Sequence, residues 1–341
     1  MLKIYTDTQF LTETHRREVF PLLFDIHFLK TVKLKQHFNL VDSAEASDIV
    51  ILPIDYTSFY KHKEAFKNLL AEAKSNNKLL WIYSSGDFGF TNYIPNSSTF
   101  RLGGFDSELS DSTFIVPSFI NDPYETLKKD FLALNKEKQP SIGFVGHAKS
   151  GLAKYGKELF SHFKREYRKD LADKQSFYPS SVNRINYLNI LSKADGLNTN
   201  FIFRDNYRAG ITTEKAKAET TLEFYNNMYA NAYTFCSRGV GNFSVRFYET
   251  LAMGRIPVLL NTDCRLPLSD TIDWTKHCVI IEEKEINKMA ETILKFHNSK
   301  DEGQFFKLQK NNRLLWESTL KRHQYFIAIH DDFINKRKAN A

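Results

Sequence analysis

The chain has 341 residues, 42% apolar and 26% charged, with 47 Lys and Arg against 40 Asp and Glu for a net charge of +7. This composition excludes a disordered chain, a collagen-like repeat and a disulfide scaffold, and the length suits two domains of ordinary size. Three cysteines, Cys236, Cys264 and Cys278, with no Cys-x-x-Cys pair, argue against a zinc site and a disulfide framework.

Lys3 to Tyr5 reads as a first strand. The N-terminus lacks the basic start and apolar stretch of a signal peptide, so a cytoplasmic protein is expected. Ile49 to Ile54 is the longest apolar run, too short to cross a bilayer and typical of a buried parallel strand. A helix is expected over Phe59 to Lys74, then strands over Lys78 to Tyr83 and Thr113 to Pro117. A polar segment of helical character, Asp122 to Gln139, leads to Pro140, which sets a domain boundary between residues 138 and 139. The second half repeats the alternation. Strands are expected at Ser141 to Gly146, Asn200 to Phe203, Ala232 to Cys236, Ile256 to Leu260 and Cys278 to Ile281. Helices are expected at Leu152 to Arg168, Lys217 to Tyr229, Phe243 to Met253, Glu283 to His297 and Phe305 to Asn335, the last free to return to the first domain. Two doubly wound parallel-sheet α/β domains follow, residues 1–138 and 139–341. The first carries 16 basic and 18 acidic side chains and the second 31 and 22, which suits an anionic ligand or surface on the C-terminal side.

Chemistry concentrates in Tyr233 to Leu260, a strand, a Gly-containing loop, a helix and another strand. Gly239 and Gly241 allow a tight turn and close backbone approach to a ligand. Asn242 reads as an N-cap, leaving the amides of Phe243 and Ser244 with the helix dipole as an anion site. Val245, Tyr248 and Ala252 are expected against the sheet, and Arg246, Glu249 and Met253 along the cleft. A diphosphate needs planar cationic donors and amides, and a ribose needs a carboxylate. Arg238, Arg246, Ser244 and Glu249 supply both. A surface Arg–Glu pair beside a turn is the ordinary explanation of any one such spacing. The coincidence of two glycines, two arginines, a hydroxyl and a carboxylate at one sheet edge favours a site.

Ser237-Arg-Gly-x-Gly-x-x-Ser-x-Arg-x-x-Glu249, then Gly254-x-Ile-Pro-Val258, Leu266-Pro-Leu268 and Ile272-Asp-Trp274, resembles the exostosin-like family of glycosyltransferases over about residues 225–283. Gly143 to Gly146 is similar to that family's opening strand of the nucleotide domain. Ser85-Gly-Asp-Phe88 is similar to its N-terminal Gly-x-Asp-His turn, with Phe88 where His is usual. The chain lacks the membrane anchor and stem of animal and plant members, and its N-terminal half is short. A bacterial relative acting on a surface glycan or lipid-linked acceptor inside the cell is therefore expected. The resemblance implies a GT-B fold, two Rossmann-like domains facing each other across a cleft. It also implies inverting transfer from a nucleotide sugar, UDP-linked by expectation, with no bound metal and no cofactor. The sequence has no Asp-x-Asp motif to hold a divalent ion against the diphosphate.

An inverting displacement needs a base across the cleft. Asp87 is the first choice, with an Asx-turn role as the structural alternative; Asp7 and His15 are lesser candidates. His147, Lys149 and Arg204 are candidate donor contacts, and Arg208 lies beside them. Gly146 to Gly151 is not a P-loop, because Lys149 and Ser150 precede the second glycine. Asp273 and Trp274 suit a loop pin better than a sugar contact. The basic Lys336 to Lys338 suits solvent or the anionic inner face of a membrane. Competing readings are an epimerase-like enzyme on the same fold, a non-catalytic glycan-binding protein, and a nucleic-acid-binding protein. The last is disfavoured, because the arginines are scattered and no module is recognisable.

Overall fold

The computed structural model describes residues 1–168, 171–205, 210–211 and 213–339. The first domain is built on β1 (Leu2–Tyr5), β2 (Phe38–Leu40), β3 (Ile49–Ile51), β4 (Leu79–Ser84), β5 (Ser97–Arg101) and β6 (Thr113–Ile115), in spatial order β2-β1-β3-β4-β5-β6. The second is built on β7 (Ser141–His147), β8 (Asn198–Arg204), β9 (Tyr233–Cys236), β10 (Ile256–Asn261) and β11 (Val279–Glu282), in order β11-β10-β9-β7-β8. All ladder pairings are parallel. The helices are α1 (Pro21–His27), α2 (Tyr56–Phe59), α3 (Lys63–Ser75), α4 (Pro123–Leu127), α5 (Leu152–Glu166), α6 (Ser180–Ser192), α7 (Glu214–Ala230), α8 (Val245–Ala252), α9 (Met289–Asn298), α10 (Glu302–Leu315) and α11 (Arg322–Ala339). No helix of the described residues is long and apolar enough to cross a membrane. The chain thus has the two parallel-sheet α/β domains expected from its alternating strands and helices.

Four expectations need correction. The helix expected over Phe59 to Lys74 starts only at Lys63, because Phe59 ends the separate short α2. Asp122 to Gln139 is not a helix beyond Leu127, because Lys128 turns left-handed at φ 52°. The chain then runs extended over α10, where Gln309 accepts from the Leu134 amide at 2.9 Å and donates to its carbonyl at 2.8 Å. The last helical stretch is broken. A wide turn at Trp316–Leu320 and an extended Lys321 (ψ 145°) redirect it. α11 then returns to the first domain, where Tyr325, Phe326 and Ile329 join Phe20, Trp81 and Phe100 in the core. Finally, β5 was not expected, because Ser97-Ser-Thr-Phe-Arg101 is polar. Its polar groups are paired inside: Asn92 donates to Ser97 and Thr99, and Arg101 donates to the carbonyls of Gly103 and Phe88 and to Asp173.

The domains meet through the loops after β5 and β10. Arg265 donates to Asp106 at 2.5 Å and to the Leu109 and Ser110 carbonyls. Asn242, buried, donates to the carbonyls of Gly104, Thr262 and Asp263 at 2.9–3.2 Å and accepts from the Thr262 hydroxyl at 2.6 Å. Asn242→Ala should therefore lower stability by about 2–4 kcal/mol, because it strands several buried acceptors. A melting-temperature drop of several degrees is the expected readout.

Candidate functional site

In the second sheet, β8 follows β7 on one side and β9 lies on the other, so the strand order reverses between β7 and β9. Open parallel sheets bind ligands in the crevice at such a reversal, beyond the carboxyl ends of the strands. Gly146 and His147 close β7 there, and Ser237 and Arg238 follow β9.

β9 is buried throughout, which rigidly positions the loop that follows. Arg238 lies buried between the rings of Tyr178 and Phe105, at 4.5 and 5.1 Å. It donates to Gln175 at 3.0 Å and to the Val240 carbonyl at 2.9 Å, while its Nε has no partner. Gly239 faces open space, whereas a Cβ at Gly241 would strike the Asp87 carbonyl and the Phe243 ring. The loops of the two domains thus touch at Gly241 and Asp87.

The helix that follows is shorter than expected. α8 begins at Val245 with Ser244 as N-cap, and the Ser244 hydroxyl makes no capping bond. Asn242 is a bridge between loops and not the cap, and the Phe243 amide is already donated to Gly241 at 3.0 Å. The anion-facing groups are therefore Ser244 and the first amides of α8. Val245 is exposed and not against the sheet, and Met253 is core, packed with Tyr124, Leu127 and Met228.

Arg246 lies over the Phe144 ring at 4.3 Å and donates to the Val145 carbonyl at 2.8 Å, in space that Gly146 leaves free. Its Nε is buried without a partner. One turn on, burial pushes the Glu249 carboxyl up to about 7, against the opposing pull of Arg246. The Glu249 carboxylate accepts no hydrogen bond among the described residues, whereas its backbone carbonyl accepts the Met253 amide at 3.0 Å. Arg238 and Ser244 line one pocket, while Arg246 and Glu249 lie close enough to feel each other's charge beside the Phe144 ring, both pairs in the segment that follows β9.

Arg184 of α6 completes this arrangement and was not foreseen. It donates to the His147 carbonyl at 2.7 Å, the Arg238 carbonyl at 2.9 Å and the Ser237 hydroxyl at 3.2 Å. Burial, then the charge of Arg246, lowers its guanidinium to about 10. The only signal for α6 was the spacing of Ile185, Leu188 and Leu191, and nothing local marks Arg184 as a tie between two loops.

The other candidates scatter. His147 faces the Arg204 carbonyl at 3.1 Å, and burial lowers its pKa. Lys149 is exposed and pairs with Asp205 at 3.3 Å. Arg204 turns toward α7, donating to Glu223 at 2.6 Å and to the Thr220 carbonyl at 2.9 Å. Arg208 lies outside the described residues. Asp7 caps a short turn through the Gln9 amide, and His15 packs on Phe10 and His62. Trp274 donates to the Pro267 carbonyl at 3.0 Å, pinning its loop.

Across the cleft, the Asp87 carboxylate is exposed and accepts no hydrogen bond among the described residues, its own backbone included. The Asx-turn alternative is therefore absent. Desolvation by the surrounding loops raises its pKa, opposed by the charge of Arg165. Phe88 carries Arg165 over its ring at 4.3 Å.

Residues 194–296 match the family model described as the Exostosin GT47 domain, a segment that contains the whole Arg238–Glu249 arrangement. Exostosin-1b of Danio rerio is 32% identical over 109 residues, 31% of this chain and 14% of that protein. Exostosin-1 of Mus musculus is 34% identical over 98 residues, 28% of this chain and 12% of that protein. The match thus spans about a seventh of the curated relatives' length. A solved glycosyltransferase from Rickettsia africae aligns over 98% of both chains at 12% identity and TM-score 0.38, a likeness too distant to support a functional argument.

Proposed function

From an exostosin-like C-terminal domain, we propose that the chain is a glycosyltransferase that moves a sugar from a nucleoside-diphosphate donor to a glycan hydroxyl. The reading rests on the run of Arg238, Ser244, Arg246 and Glu249 that follows β9 at the β7–β9 reversal, with Gly241 in contact with the Asp87 loop.

In this reading Arg238, Arg246 and the first amides of α8 hold the diphosphate and stabilise the charge that develops as it leaves. Arg184 keeps the two loops in place, so these donors need little reorganisation. Ionised Glu249 accepts the ribose hydroxyls. The acceptor hydroxyl enters from the first domain and loses its proton to Asp87 as it attacks the anomeric carbon opposite the departing diphosphate, with inversion. UDP is the proposed nucleotide, on the family resemblance, and the acceptor a surface or lipid-linked glycan met on the cytoplasmic side. The charge-neutralising role given to the arginines lets the step proceed without a metal ion.

A thermal-shift panel of nucleoside diphosphates and their sugars tests this. At a hundred times its Kd a donor adds about 2.7 kcal/mol, a rise of a few degrees. Arg246→Met retains packing on Phe144 but removes the donors, so it should abolish the shift while remaining folded. No shift with any nucleotide, with or without added glycan, would overturn the proposal. Release of free UDP without an acceptor would instead indicate epimerase-type chemistry.

A further inference from the structure

α5 packs with its charged side inward. Lys154 and Glu158 pair at 3.3 Å and keep only 18% and 16% of their side chains exposed. Glu158 also accepts the Ser181 amide at 3.3 Å, and Arg165 reaches the Phe88 ring across the cleft. No residue of α5 is fully buried. On its outer side Leu152, Phe160, Phe163 and the following Tyr167 are 92%, 70%, 51% and 85% exposed. At helical spacing these four share an arc of roughly 80°.

An amphipathic helix in a globular domain normally turns its apolar stripe to the core. Here the stripe faces outward, and no described residue covers it. The exposed charge beside it has one sign. Lys157 and Lys164 are exposed about 40–60° beyond the arc, with Arg168 following, while Glu158 and Glu166 are half-buried. A row of large apolar side chains whose exposed charged neighbours are cations complements an anionic lipid surface. The other lipid candidate, the C-terminal basic run, has two of its three cations paired on the protein: Lys336 pairs with Asp332 at 2.8 Å and Arg337 with Asp48 at 3.1 Å.

We propose that α5 is a membrane-docking helix, with Leu152, Phe160, Phe163 and Tyr167 entering the headgroup boundary and Lys157 and Lys164 meeting lipid phosphates. Docking places the cleft mouth, through Arg165 and Phe88, at the surface where a lipid-carried acceptor lies. That consequence rests on the glycosyl-transfer reading, whereas the docking itself does not.

The test is flotation of the full chain with vesicles of phosphatidylcholine alone or mixed with phosphatidylglycerol. The wild type should float with the mixed vesicles only. Phe160→Ser combined with Phe163→Ser should reduce the bound fraction about tenfold or more with an unchanged melting temperature, because both side chains are exposed. Lys157→Gln with Lys164→Gln should reduce it severalfold and flatten its salt dependence. Equal flotation of the Phe pair variant, or no flotation of the wild type, overturns the proposal. A wild-type dimer that the Phe pair variant converts to monomers, without vesicle binding, would assign the face to a second copy and also overturn it. Nucleotide thermal shifts on the same samples keep this outcome separate from the donor site.

Discussion

Asp87→Asn should lower kcat by about 10²–10⁴-fold while leaving nucleotide binding within a few-fold of wild type. Asparagine retains the backbone that meets Gly241 and removes only the proton acceptor. Calorimetry with the nucleotide and product formation with the full donor separate the two effects. Because desolvation raises the Asp87 pKa, the acid limb of the wild-type pH–rate profile should lie above that of an ordinary aspartate. Near-wild-type turnover in Asp87→Asn would move the base to another residue.

Glu249→Gln should separate stability from binding. Burial pushes the carboxyl up to about 7 in the folded chain, against 4.5 for a glutamate in water, so the folded state holds its proton more tightly. Between those values the folded protein binds more protons than the unfolded one, and stability falls as pH rises. Above pH 7 the accumulated loss is on the order of 2–4 kcal/mol, and glutamine, which does not ionise, should recover it as a melting point several degrees higher at pH 8 than wild type. At pH 5 the two proteins should melt alike. Nucleotide affinity should change in the opposite sense. The wild type should bind more tightly as pH rises through 7, and the variant should bind about 1–3 kcal/mol more weakly at pH 8 with no such pH dependence. If the variant binds as the wild type does, Glu249 has no part in holding the ribose.

What the sequence displayed and what it hid follow from the range of the interactions. The buried parallel strands declare themselves as apolar runs, and the proposed site segment is legible because its cations, hydroxyl and carboxylate follow one another in one loop and one helix. Asn242 misleads for the same reason. Beside a helix start its side chain suits a cap, yet its partners are Gly104, Thr262 and Asp263, which only the folded chain brings near. Arg184 is invisible locally because its acceptors lie 37, 53 and 54 residues away. β5 is concealed because buried Thr99 and Arg101 look like loop residues until their internal partners, Asn92 and the Gly103 and Phe88 carbonyls, are known. In α5 the apolar stripe is legible, but the direction it faces is not, since outward and inward stripes have the same period.

The return of α11 gives the molecule a mechanical property. The polypeptide passes between the domains twice, once through the extended segment after α4 and once at the Trp316–Leu320 turn. A body tethered at two points is free to swing about the line joining them but resists twisting around any other axis. Any swing of one domain on the other should therefore follow a single track, which would keep the Asp87 loop in register with Gly241. Cutting the chain after α10 would both free that motion and strip Tyr325 and Phe326 from the first domain's core, so the two halves should not survive separation as independent modules.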